Sequence, residues 1–394
     1  MKRLAIPLGF YTLILAIYAV WSFGLTAPNL VLSGWPPYWN FQTWMWETFF
    51  NNRVLLAQSF VGIMALAWLS IGLILKKLWT DNNKFDLKEF VVVVILVASP
   101  LLLATQALSY DIYNYLFNAK MVMVYQADPH QRTAIEFDDD WTRFMHNVHT
   151  PAPYGYGWTA LSLLPFIAGA GKLLPILGIY KVLNLLSLIG SAWVIKFLAD
   201  KLKIKLSWFA MAVVFLNPLV LIEVVGNLHN DLYMLFPAVL SLGLILKDRH
   251  RFWLLSIALL LISISIKLAT VVLVPIWLWL VFWPKLVEYL PLISSIALFA
   301  PLLTARSKMF LPWYLIWVLI WWPLIWRSKQ KWFGKVWAIF VVLLSVTASL
   351  RYLPYLYYGE HSVYSENLQL WIVWLLPVMA SVLSGFFLYN RKQA

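Results

Sequence analysis

The sequence predicts an all-α, polytopic transmembrane bundle, and three observations carry that reading. Of 394 residues, 62% are hydrophobic and 12% charged, which is more apolar surface than a water-soluble domain can bury. The apolar residues fall in runs of membrane length. The basic residues gather in the short loops between runs, and mainly in every second loop.

Runs of roughly 20 apolar residues lie near 4–23, 54–75, 89–107, 176–198, 206–222, 231–246, 252–268, 269–283, 286–304, 309–326, 336–353 and 369–389. That predicts about twelve spans within one domain, 1–394, some of them short enough to be broken or tilted. With the N-terminus inside, twenty of the 30 lysines and arginines are cytoplasmic. They run from Lys2 and Arg3, through Lys76, Lys77, Lys84 and Lys88, to Arg391 and Lys392. Arg53, Lys120, Arg132, Arg143, Arg306, Lys308 and Arg351 fall outside. Both termini are then cytoplasmic. The apolar stretch 158–173 breaks the parity, because a crossing there would invert everything after it. Ala168-Gly169-Ala170-Gly171 offers a bend, so 158–173 is expected to be re-entrant or interfacial. Irregular backbone at that depth has to be shielded by protein or line a wet cavity.

Composition also excludes several classes. The absence of cysteine removes disulfides and thiolate metal sites. The net charge of +13 follows the membrane loops and gives no nucleic-acid surface. Met1-Lys2-Arg3 before an apolar run reads as the start of a retained first helix. Aromatic residues, 17% of the chain, suit interfacial belts and sugar or lipid contact.

The longest polar interval is 109–158, which coincides with an outer loop spanning 108–157 to within one residue at each end. It holds six of the 17 acidic residues: Asp111, Asp128, Glu136, Asp138, Asp139 and Asp140. It reads as the extracytoplasmic wall of an active site. Asp111 is the first carboxylate after a span and stands among Tyr110, Tyr113 and Tyr115. A carboxylate beside aromatic surface can act as general base toward a sugar hydroxyl; a helix cap is the plain alternative. Lys267 lies between two apolar runs, where a lysine costs roughly 2.5–3.5 kcal/mol to insert and is usually paired or functional. Snorkelling to the interface is the alternative. Arg306 and Lys308 share the turn TARSKMF, and with Lys267 they would suit a phosphate. The turn carrying His229, Asn230 and Asp231 is at most a partial metal site, and Asn230 or Asp231 suits capping of the next helix. Glu223 and Arg351 lie at the same outer ends. No metal is expected. No Gly-rich phosphate loop or soluble nucleotide-binding domain is present, so an activated donor would be a membrane lipid.

Several motifs stand in a family order. They are Ser109-Tyr110-Asp111-Ile112-Tyr113-Asn114-Tyr115, Ala127-Asp128-Pro129-His130, Thr150-Pro151-Ala152-Pro153-Tyr154-Gly155, Asn217-Pro218-Leu219 with Gly226 and His229-Asn230-Asp231, Lys267, and Pro312-Trp313-Tyr314 with Trp317. In this they resemble the GT-C integral-membrane glycosyltransferases, and more closely the bacterial polyprenyl-phosphate-mannose-dependent alpha-mannosyltransferases. Tyr156, His130 and Asn227 depart from the pattern. The resemblance implies a GT-C-type bundle and an enzyme of the bacterial plasma membrane with its site outside the cytoplasm. It implies a polyprenyl-phosphate-linked hexose donor, with mannose the expected sugar, and a glycan or glycolipid acceptor. Transfer would proceed with inversion and Asp111 as base. Lys267, Arg306 and Lys308 would bind the donor phosphate. Tyr154, His229, Asn230, Asp231 and Tyr314 would shape the sugar and acceptor pocket. A transporter or flippase of a lipid-linked sugar, or a glycan polymerase or ligase using a pyrophosphate-linked donor, would share much of this pattern.

Overall fold

Proline and polar residues decide where the apolar runs become one helix and where they break. The computed structural model describes residues 4–26, 34–80, 85–283, 287–304, 310–327 and 332–393. Among these the regular structure is helical throughout. In chain order the helices are α1 (Ala5–Trp21), α2 (Pro36–Met45), α3 (Arg53–Trp79), α4 (Leu87–Ala98), α5 (Asp111–Met123), α6 (Tyr156–Ala168), α7 (Leu173–Lys201), α8 (Trp208–Phe215), α9 (Pro218–Leu221), α10 (Asp231–Lys247), α11 (Arg249–Ile266), α12 (Val274–Phe282), α13 (Leu290–Phe299), α14 (Ile316–Leu319), α15 (Trp322–Arg327), α16 (Trp332–Ser349), α17 (Leu353–Tyr358) and α18 (Val363–Gln393).

Six segments among the described residues are long and apolar enough to cross a membrane: 5–25, α3, α7, α11, 332–358 and 363–386. The pair Trp208–Phe215 and Pro218–Gly226, bent by 49°, makes a seventh if it counts as one span. The all-α, multi-pass reading holds, but twelve helices of membrane length do not emerge. Several expected spans are cut into short α and 3-10 pieces. Proline stands at the first turn of the 3-10 segments Ser99–Leu103 and Ala300–Leu303, of α12 and of α13, where its missing N–H does no harm. Run 158–173 becomes α6, 13 residues long and too short to cross alone, then the predicted bend at 169–171. The outer segment 24–53 contains α2 and a π turn, Trp46–Phe50, and 354–368 is partly helical.

The core is the middle of the chain, with every residue from 210 to 232 buried. Asn217 makes the break inside it. Its Oδ1 accepts the Leu219 N–H at 3.0 Å, and its Nδ2 donates to Val213 O at 3.2 Å and Ser345 Oγ at 3.0 Å. Pro218 then restarts the helix as α9, which runs into a π turn, Ile222–Gly226. Lys181, on α7, is buried against this turn. Its ammonium donates to Leu101 O at 3.1 Å, Val225 O at 3.1 Å and Gly226 O at 2.9 Å. All three N–H groups are used, so a cation inside the bundle is fully satisfied and two broken helix ends are stitched together.

Lys181→Met leaves those carbonyls buried without a donor. We expect a loss of roughly 3 kcal/mol, read as a lower melting temperature in detergent with helical circular dichroism retained.

Candidate active site

The chain leaves the 3-10 segment Ser99–Leu103 in extended form and starts α5 at Asp111 itself. The carboxylate therefore sits at a helix N-terminus, where the backbone dipole favours negative charge. Its side chain is 19% exposed. Tyr154 donates its hydroxyl to Asp111 Oδ2 at 2.7 Å. Tyr115 holds Tyr154 edge-to-face, with ring centroids 5.2 Å apart. The next residue has to be glycine. Gly155 donates its N–H to Ile266 O at 3.0 Å, and a Cβ there would overlap the Ser265 carbonyl. That contact seats the Pro153-Tyr154-Gly155 turn on the end of α11.

Lys267 ends α11 in an extended conformation and is 9% exposed. Its ammonium donates to Asp231 Oδ1 at 2.7 Å, and Trp317 Nε1 donates to the same oxygen at 2.5 Å. It lies 5.0 Å from the Tyr154 ring centre, 5.5 Å from Tyr314 and 5.4 Å from Trp317. Rings on several sides hold the cation without further ion pairing.

Behind Asp111 lies a fully buried imidazole. His229 stacks on Trp313, with centroids 3.7 Å apart and planes 19° apart. Its Nδ1 is 3.8 Å from Asp111 Oδ2 and its Nε2 3.3 Å from Glu223 Oε2, neither in hydrogen-bond geometry. Glu223 sits on the π turn. It accepts Tyr352 OH on Oε1 at 2.8 Å and Asn227 Nδ2 on Oε2 at 2.9 Å. Between π turn and His229, Leu228 takes φ +64°, a left-handed backbone that bulky residues rarely adopt. That strain of about 1–3 kcal/mol is held by packing on every side.

Two cavities meet at Asp111. The first, about 620 Å³, is mostly apolar, with walls from Leu268, Val271, Val272, Pro301 and Tyr314 and with Lys267 at its polar end. The second, about 480 Å³, is lined by Tyr110, His146, Arg351, Tyr352, Tyr355 and His361, among others. Asp111, Asn114, Asn147 and Leu311 line both. Burial pushes the His146 imidazole below its ordinary value, against the pull of Asp111, and His361 adds to the push. A neutral imidazole can both donate to and accept from hydroxyl groups.

Of the residues predicted from sequence, Asp111, Tyr154, Lys267 and Tyr314 line the first cavity. His229, Asn230 and Asp231 line neither. They are wholly buried and form the layer behind the wall. Asn230 occupies the N-cap position of α10, but its side chain makes no capping bond. Arg306 and Lys308 lie outside the described residues. Among the described residues, no three His, Asp or Glu side chains converge as ligands of one metal ion. Asn114, His146, Asn147 and Tyr352 were not foreseen.

The other acids of the outer loop build the loop. Asp139 takes Lys120 at 2.5 Å and Tyr125 OH at 2.7 Å, and the latter bond pushes the Tyr125 phenol up to about 12. Glu136 closes a capping box with Thr133, whose N–H, with Arg132 beside it, pulls that carboxyl down to about 2. Asp128 accepts the His130 N–H at 2.9 Å and Tyr156 OH at 2.9 Å.

This fold and site define a multi-pass membrane protein that presents one carboxylate at the junction of two cavities. Residues 6–283 match the family model for the alpha-(1->6)-mannopyranosyltransferase N-terminal domain, and the chain belongs to that family. It is 26% identical over 220 residues to alpha-(1->6)-mannopyranosyltransferase A of Corynebacterium glutamicum, covering 51% of this chain and 41% of that protein. It is 26% identical over 215 residues to the protein of the same name from Mycobacterium tuberculosis, covering 52% and 39% respectively. The matched stretch thus spans about two fifths of each relative. No solved structure matches the chain significantly.

Removing one partner of the Lys267–Asp231 pair strands a buried charge. Lys267→Met is expected to cost roughly 3–5 kcal/mol. The double variant with Asp231→Asn should recover most of that in a detergent melting assay while leaving binding of a polyprenyl phosphate impaired.

Proposed function

We propose that the chain is a glycosyltransferase that moves mannose from a polyprenyl-phosphate donor to a glycan or glycolipid hydroxyl, with inversion. The observation that carries this reading is the position of Asp111 between the two cavities. The first cavity suits the donor. Its walls are apolar, and Leu268 and Val271 also face the outer surface, at 63% and 43% exposure, so an isoprenoid chain can enter sideways from the bilayer. Lys267 waits at its polar end. The second cavity suits the acceptor, with aromatic faces for sugar rings and Arg351, His146 and His361 for hydroxyls.

Tyr154 occupies Oδ2 of Asp111 and leaves Oδ1 for the acceptor hydroxyl. Asp111 takes the hydroxyl proton as that oxygen attacks C1 of the donor sugar. The bond from C1 to the phosphate oxygen breaks, and polyprenyl phosphate leaves as an anion. It needs positive charge more than a proton. Lys267 keeps two N–H groups for it beyond the one given to Asp231. The pair with Asp231 is neutral overall, so Arg306 and Lys308 supply the net positive charge. The charge pattern supports a site outside the cytoplasm, and an α6 that enters the membrane and returns on that same side fits this reading. The name of the relatives supports mannose and an α-1→6 link.

Purified protein in proteoliposomes should transfer mannose from polyprenyl-phosphate-mannose to a short α-mannoside. Asp111→Asn should lower turnover at least 1,000-fold while donor binding persists; unaltered turnover would move the base elsewhere. Loss of lipid translocation, with no transfer by the unaltered protein, would favour a flippase. Lys172→Cys should react with an impermeant maleimide from the outer face only.

A further inference from the structure

His229 has a slot that the resting structure does not satisfy. Both ring nitrogens are buried without a hydrogen bond, and the neighbouring Asn230 amide is likewise unpartnered. Each nitrogen faces a carboxylate, Asp111 at 3.8 Å and Glu223 at 3.3 Å. Trp313 stacks on the ring and fixes its plane. Glu223 is itself 2% exposed and anchored by Tyr352 and Asn227. Of the other charged groups nearby, Asp231 is committed to Lys267 and Lys181 to three carbonyls, while the buried Arg351 sets positive charge on the Tyr352 side of Glu223.

We infer that Glu223, His229 and Asp111 form a carboxylate–imidazole–carboxylate array in which His229 takes up the proton that Asp111 removes from the acceptor. The inference rests on Asp111 being the base of a transfer reaction. With donor and acceptor in the two cavities, both openings through which Asp111 meets water are filled. The carboxyl group turns to bring the acquired proton from Oδ1 to the side that Nδ1 faces, where it displaces the Tyr154 hydroxyl. The proton passes to His229 Nδ1 while Nε2 keeps its own proton against Glu223. Asp111 is again a carboxylate, and the imidazolium lies between two carboxylates over the Trp313 ring. When product leaves, the proton returns through Asp111 to water and the cycle closes with nothing gained or lost. Nε2 needs only realignment toward Glu223, and a movement of about 1 Å brings Asp111 Oδ2 and Nδ1 to hydrogen-bond distance. His229 and Glu223 therefore act through Asp111 and touch neither substrate.

The test is single-turnover and steady-state transfer of mannose from polyprenyl-phosphate-mannose to a short α-mannoside by the full chain in proteoliposomes. Glu223→Gln keeps the size of the side chain and, through its amide oxygen, one of the two accepted bonds, and it removes the charge behind the imidazole. It should slow the single turnover roughly 100-fold with KM for both substrates unchanged. His229→Gln should do the same, and the double variant should be no slower than either alone, because Glu223 works only through His229. Losses that multiply, rates equal to the unaltered protein, or KM values that rise with kcat unchanged would overturn the array. Should His229→Gln fail to fold, Glu223→Gln decides by itself: a kcat loss at constant KM and melting temperature supports the array, and any other result removes it. Transfer by the unaltered protein is the control that separates the two readings; its absence removes the reaction, and the array with it.

Discussion

A buried lysine and a buried aspartate cannot stand alone in a medium of low dielectric, and the site depends on their meeting. Asp231 opens α10, Lys267 closes α11, and Trp317 comes from the segment after 310. Leaving either charge unpaired costs more than most single packing defects in this protein would. The pair therefore fixes the end of α11 against the start of α10. From there the rest of the wall is determined. Gly155 docks on Ile266 beside Lys267, and that contact places Tyr154 between Lys267 and Asp111. One aromatic residue thus touches both charged centres, the Asp111 carboxylate through its hydroxyl and the Lys267 cation through its ring.

Helix breaks put this polar apparatus inside an apolar bundle. A straight span at 208–226 would hide Glu223 within a continuous helix. The Asn217-Pro218 break and the π turn after it turn the chain by 49° and deliver Glu223, Asn227 and His229 to one place. The freed carbonyls of that turn need donors, and Lys181 provides them. Leu228 pays in backbone strain for the sharp exit toward His229. Non-helical backbone is tolerated at such depth when protein surrounds it, and residues 210–232 are buried throughout.

Much of this was legible in the sequence, and the remainder was not for definite reasons. The all-helical class follows from composition, Asp111 and Lys267 are visible as charged residues at the ends of apolar runs, and Tyr154 and Tyr314 come from motifs shared with the family. The bend at 169–171 was announced by alternating glycine and alanine. The span count was not readable, because hydropathy counts apolar residues while helix length depends on where proline and 3-10 turns interrupt them. Lys181 carries the same signal as Lys267, a lysine inside an apolar run, and only tertiary structure separates a lysine that stitches carbonyls from one that faces a cavity. Asp231 and His229 looked like pocket residues since they neighbour an outer turn. Their burial comes from Trp313 and Trp317 closing over them, more than 80 residues away in sequence.

The acidic loop, 108–157, teaches the opposite lesson. Its density of carboxylates suggested chemistry, yet Asp128, Glu136 and Asp139 each spend their oxygens on backbone N–H groups, a lysine, an arginine or a tyrosine. Such carboxylates are poor bases, since every bond that holds the anion also lowers its affinity for a proton. Asp111 differs in having one oxygen bound by Tyr154 while the residue lines both cavities. A carboxylate able to accept a proton has to be held in place without being saturated. Among the carboxylates of this loop, Asp111 meets both conditions, and the saturated ones around it keep the loop rigid enough for a single tyrosine to aim it.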